Sequence, residues 1–188
     1  MGDKIYLGTI LGIDGYYYKG SFRFLNLIKT AESVDYGGTI FALAQDDNYV
    51  YVGGATTQKV YKLNKSDLSK AAESSSYGGS INALTQDDNY IYVGGVATQK
   101  VYKLNKSDLS KTAESEDYGG VIYALTQDDN YVYVGGATTK KAYKLNKSDL
   151  SKVAESLTYG ENIRAFAQDD NYVYVGVIIV TGNNCRLK

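Results

Sequence analysis

Residues 45–54 read Gln-Asp-Asp-Asn-Tyr-Val-Tyr-Val-Gly-Gly, and the chain repeats them almost unchanged. QDDNYIYVGG starts at Gln86, QDDNYVYVGG at Gln127 and QDDNYVYVGV at Gln168. Tyr49-Val50-Tyr51-Val52 alternates two kinds of large apolar side chain and is rich in strand formers, so it reads as a strand. Asp46-Asp47-Asn48 before it is turn chemistry, because short Asx side chains bond to their own backbone and tolerate tight turns.

Outward from this core lie further apolar runs, Ile40 to Ala44 upstream and Lys59 to Leu63 downstream. Asn64 to Asp67 forms another turn, and Ser69 to Ser74 closes the unit. The stretch SDLSKAAES carries a helix-cap residue and good helix formers. An outermost sheet edge is commonly polar and lysine-bearing, however, so a strand is the expected state. The unit is then four antiparallel strands.

Tyr36-Gly37-Gly38 returns at Tyr77, Tyr118 and Tyr159, always 41 residues on, and residues 36–76 differ from 77–117 at nine positions. A fixed period near 40 marks a stacked array of supersecondary units. Residues 4–35 align as a shortened unit: 13–20 match DDNYVYVG, 21–26 (SFRFLN) match KVYKLN, and 28–33 match SKTAES. Residues 159–188 supply two strands, with a divergent third between 177 and 188. The expected fold is all-β, one domain spanning 1–188. It is a five-bladed β-propeller of four-stranded repeats, with blades at 4–35, 36–76, 77–117, 118–158 and an incomplete 159–188. Radial closure leaves only short, protected edges. The alternative is a four-bladed ring whose last blade is completed by residues 22–33.

At DDNYVYVGG and KVYKLNKSDL the chain resembles the quinoprotein-like and YVTN-type propeller repeats, over nearly its whole length. That resemblance implies the fold. The family's D-G turn is Asp47-Asn48 here, and the repeat-ending tryptophan of quinoproteins is missing, so quinone binding does not carry over. Fold alone does not assign a task.

Composition narrows the task. Twenty basic and 21 acidic residues give a net charge of −1. Without a basic stripe, neither nucleic acid nor an anionic membrane surface is an expected partner. The sequence has no apolar run long enough to span a membrane as a helix. MGDKIYLGTILGIDG lacks the basic start and sustained apolar core of a secretory leader, and the single Cys185 forms no internal disulfide. A cytoplasmic setting, or a place on a virus-like particle, is expected. With no histidine, serine–histidine and cysteine–histidine catalysis are excluded, so no catalytic residue is named. The aspartate pairs at Asp46, Asp87, Asp128 and Asp169 offer too few diverging oxygens for calcium, and no phosphate-cradling glycine motif is present. No metal or cofactor is expected.

Candidate binding residues come from where near-identical units differ. The position after the first-strand isoleucine is Phe41, Asn82, Tyr123 and Arg164. In a propeller it faces the same end as Tyr36, Tyr77, Tyr118 and Tyr159 and the loops holding Thr57, Thr98 and Thr139. These residues are the candidate binding face. The strand tyrosines such as Tyr49 and Tyr51 are expected between blades. The expected function is non-enzymatic, multivalent binding of a protein surface or a repetitive glycan, in the manner of a phage or virion decoration protein. A neighbouring subunit would contact the last blade edge. The alternatives are a lectin with one sugar site per blade and a channel hydrolase or lyase working through carboxylates.

Overall fold

A computed structural model describes residues 6–10, 27–181 and 184–187, with side-chain detail from residue 30 to residue 178. Seventeen strands are present and no helix among the described residues. A two-stranded sheet pairs β1 (Tyr6–Ile10) with β2 (Leu27–Glu32). Then come three four-stranded meanders. The first is β3 (Ile40–Gln45), β4 (Tyr49–Gly54), β5 (Tyr61–Asn64) and β6 (Lys70–Glu73). The second is β7 (Ile81–Gln86), β8 (Tyr90–Gly95), β9 (Tyr102–Asn105) and β10 (Lys111–Glu114). The third is β11 (Ile122–Gln127), β12 (Tyr131–Gly136), β13 (Tyr143–Asn146) and β14 (Lys152–Glu155). A three-stranded sheet ends the array with β15 (Ile163–Gln168), β16 (Val173–Thr181) and β17 (Asn184–Leu187). The outermost strands β6, β10 and β14 are polar and exposed, as edges commonly are.

Each sheet lies against the next. Inner strand β3 packs on β7, β7 on β11 and β11 on β15. Tyr51 enters a buried cluster with Ile81, Ile91, Val93 and Leu104 of the following sheet, and Tyr92 does the same with Ile122, Val132, Val134 and Leu145. The repeated Tyr-Val-Tyr-Val therefore sends tyrosine one way and valine the other, and both faces are used. Glycine makes this approach possible. A Cβ on Gly94 would lie 2.5 Å from Ile122 Cγ2 and 3.3 Å from Leu125 Cδ1.

Three expectations need correcting or bounding. Among the described residues the sheets do not close into a ring: no comparable packing joins β15 or β16 to β1, β2 or β3. The four-bladed alternative, with residues 22–33 completing the last sheet, is not seen among the described residues either, since β2 pairs with β1 and not with β16 or β17. The inner strands expected for that unit within 13–26 lie outside the described residues. The third strand of the last unit does form, as β17, but it pairs with Ile178–Thr181. In complete sheets the third strand lies along the stretch before this, Tyr61 opposite Val52 and Asn64 opposite Tyr49. Four further residues, Ile178 to Thr181, lengthen β16 past Val177, the counterpart of Gly54, and carry the hairpin away.

Candidate functional site

The first strand of every later sheet holds the same irregularity. Ile40 pairs with Gly54 and Ala42 with Gly53, so Phe41 is the extra residue of a β-bulge. Asn82, Tyr123 and Arg164 occupy the same bulge in β7, β11 and β15. A bulge takes its extra residue out of the ladder and re-aims the side chain. Each of these four carries a different chemistry between an unchanged isoleucine and an unchanged alanine, and none is used in pairing the inner hairpin.

Because the inner strands are neighbours, these residues form a row. Phe41 is exposed, Asn82 and Tyr123 are half-buried and Arg164 is exposed. Asn82 Nδ2 donates to the Ile122 carbonyl at 3.3 Å. The Arg164 guanidinium stacks 3.7 Å above the Tyr123 ring, a cation–π contact worth about 0.5–1 kcal/mol at an exposed site. Aromatic, amide, aromatic and guanidinium surfaces are offered side by side on rigid strands.

The other expected members behave differently. Tyr36, Tyr77 and Tyr118 are buried, which removes them from any binding face. Their hydroxyls donate to the carbonyls of Lys59, Lys100 and Lys141 at 2.7, 2.5 and 2.6 Å. Their rings meet Tyr61, Tyr102 and Tyr143 edge-on at 4.8–4.9 Å. Burial pushes the Tyr77 hydroxyl up to about 12. Tyr159 alone is exposed. Thr57, Thr98 and Thr139 are half-buried, with their methyl groups under the turns at Gly37, Gly78 and Gly119. They support those turns and offer no exposed hydroxyl row. Gly37 has φ +84°, which explains the glycine there.

The opposite end holds a polar cleft of about 460 Å³, lined by Gln45, Asp46, Asp47, Asn48, Lys65, Gln86, Asp88 and Lys106. Asp46 Oδ1 accepts the Asn48 and Tyr49 amides, and Oδ2 accepts the Tyr51 hydroxyl at 2.8 Å. Lys106 of the next sheet reaches the same oxygen at 3.2 Å and also donates to Gln86. Burial pushes the Asp46 carboxyl up, but the Tyr51 hydroxyl, the two amides and Lys106 outweigh it and hold the pKa at about 2. Lys147 lies 3.5 Å from Asp87 at the following junction. The first aspartate of each pair holds its own turn, and Asp46 and Asp87 also join neighbouring sheets. Among the described residues no three His, Cys, Asp or Glu side chains gather as metal ligands. The signal for this clamp in the sequence is the unvarying NKSD at Asn64, Asn105 and Asn146 that follows the first three QDDN turns.

No protein-family model matches the chain, and no curated protein sequence does. Solved structures do. The computationally designed Ika4 protein superposes with a TM-score of 0.72 at 17% identity, over 86% of this chain and 97% of that one. The computationally designed Ika8 protein superposes with a TM-score of 0.70 at 18% identity, over 79% of this chain. The chain spans about half the length of the latter, 46%. At such identities the likeness shows the fold alone: a repeat, propeller-like array of antiparallel sheets.

Proposed function

We propose that the protein is a non-enzymatic interaction module that binds an extended partner segment across its inner strands. One observation carries this reading. Phe41, Asn82, Tyr123 and Arg164 are released from pairing by the bulge in the inner strand of each sheet, and each has a different chemistry while the flanking isoleucine and alanine are unchanged. Aromatic and arginine side chains dominate protein interfaces because they combine large contact area with directional polar groups. Several modest contacts on one rigid frame reinforce each other through effective concentration.

The direct check places a photoreactive phenylalanine analogue at position 41 and identifies what it captures from native extract. The captured species is then titrated against the pure protein and against Tyr123→Ala/Arg164→Ala. Binding should weaken at least about tenfold, with the circular dichroism spectrum unchanged. Undiminished binding by the double variant would discard the row as the site.

A second reading has its own observation. The polar cleft at Gln45–Asn48 and Gln86–Asp88 supplies the carboxylates and amides that hydrogen-bond a sugar, and the repeat would supply one such cleft per junction. Glycan-array binding that survives the row variants and disappears with Gln86→Ala would favour this lectin reading.

A further inference from the structure

Within the chain the same two surfaces meet at successive junctions. One carries the tyrosines of a second strand, such as Tyr49 and Tyr51, with Ala44 beside them. The other carries Ile81, Leu84, Ile91 and Val93 of the next sheet. Tyr51 and Tyr92, at the first two of these junctions, are 0% exposed.

Among the described residues each end of the array keeps one of these surfaces uncovered. On the last sheet Tyr172 and Tyr174 are 66% and 53% exposed. Ala165 is exposed where its counterparts Ala42, Ala83 and Ala124 are buried. On the first four-stranded sheet Leu43, the counterpart of Leu84, is 54% exposed. Val50 is half-buried where Ile91 and Val132 are 0% exposed. Charge follows the same pattern. Asp46 and Asp87 each receive a lysine from the following sheet, Lys106 and Lys147. Asp169 accepts the Asn171 and Tyr172 amides and the Tyr174 hydroxyl, with no following lysine among the described residues. Lys65, the counterpart of Lys106, has no preceding aspartate among them.

We infer that the last sheet of one chain docks on the first four-stranded sheet of a second copy, rebuilding the internal junction with Tyr172 and Tyr174 over Leu43 and Val50 and with Lys65 on Asp169. The contact is head-to-tail, so it propagates or closes according to the rotation between copies. Its apolar centre and its ion pair are both ones the chain already makes internally, which is the ground for choosing a second copy over an unrelated partner.

Sedimentation velocity on the full chain over a concentration series tests this. The wild type should associate. Leu43→Lys and Tyr174→Lys should each sediment as single chains, since each loses one end. Mixed in equal amounts they should form a dimer and nothing larger, because the mixture holds one intact head and one intact tail. Lys65→Glu, which leaves every apolar residue in place, should weaken association about tenfold, whereas Lys65→Arg, which keeps the charge, should associate like wild type. Any of three results overturns the inference: a wild type that stays monomeric, which would point to residues before β3 covering the last sheet within one chain; Leu43→Lys, Tyr174→Lys or Lys65→Glu associating like wild type; or a mixture that stays monomeric.

Discussion

Gly94 shows how one residue sets the distance between sheets. Its missing side chain leaves space that Ile122 and Leu125 fill. Gly94→Ala is expected to cost about 1–3 kcal/mol, the usual range for overpacking a close-fitted core, read as a lower urea midpoint at unchanged slope. The requirement was legible in part: the paired glycines announced close approach or a turn. The fate of Tyr36 was not. A tyrosine beside two glycines in a connecting loop carries no local sign that its hydroxyl will reach the carbonyl of Lys59, 23 residues away. That contact exists only after the loops at one end of the sheet have met.

Strands and turns were the most legible level, because period-2 alternation and Asx turns are local. The bulges were hidden: Phe41, Asn82, Tyr123 and Arg164 share no chemistry that marks an unpaired strand position, and pairing across strands decides which residue is extra. The turn between third and fourth strands holds a different surprise. Leu109 sits in the left-handed region, φ +61°, and is 1% exposed. That conformation costs a non-glycine residue about 1–2 kcal/mol. Removing a buried leucine costs about 2–5 kcal/mol, so burial wins and the leucine stays. Leu109→Asn, which suits the backbone, and Leu109→Ala should both destabilise by about 2–5 kcal/mol in urea unfolding. A stabilised Leu109→Asn would mean that backbone strain dominates at this turn.

Over the whole molecule, successive sheets are held by apolar faces and by the aspartate–lysine clamps. The exposed pairs, such as Lys59–Glu73 and Lys100–Glu114, add little, typically about 0–1 kcal/mol each. The clamps make the array acid-sensitive. Asp46 titrates at about 2 in the folded chain, below the ordinary carboxylate value near 3.9. Asp87 and Asp128 are also lowered: burial raises each, but a tyrosine hydroxyl, backbone amides and a nearby lysine outweigh it. A depressed carboxylate contributes its full stabilisation above the unfolded pKa and loses it as pH falls through the folded one. Stability should therefore be flat above about pH 5 and fall between about pH 4 and pH 2. Tyr51→Phe/Tyr92→Phe, which removes a hydroxyl from Asp46 and from Asp87, should make that fall shallower; an unchanged acid limb would assign the sensitivity elsewhere. Ring closure was the least legible property at this scale. It depends on what the two end sheets meet, and no repeat pattern inside the chain specifies that.

Interchangeable junctions bear on how such a molecule can change over generations. Unequal recombination between copies that removed residues 77–117 would bring Tyr51 against Ile122 and Leu125 where Ile81 and Leu84 had been. Lys147 would arrive where Lys106 stood. The buried face changes by one methylene, Val132 for Ile91, and no charge is orphaned, so the protein can gain or shed whole units without passing through a misfit intermediate, while the four divergent bulge residues record which copies have been kept.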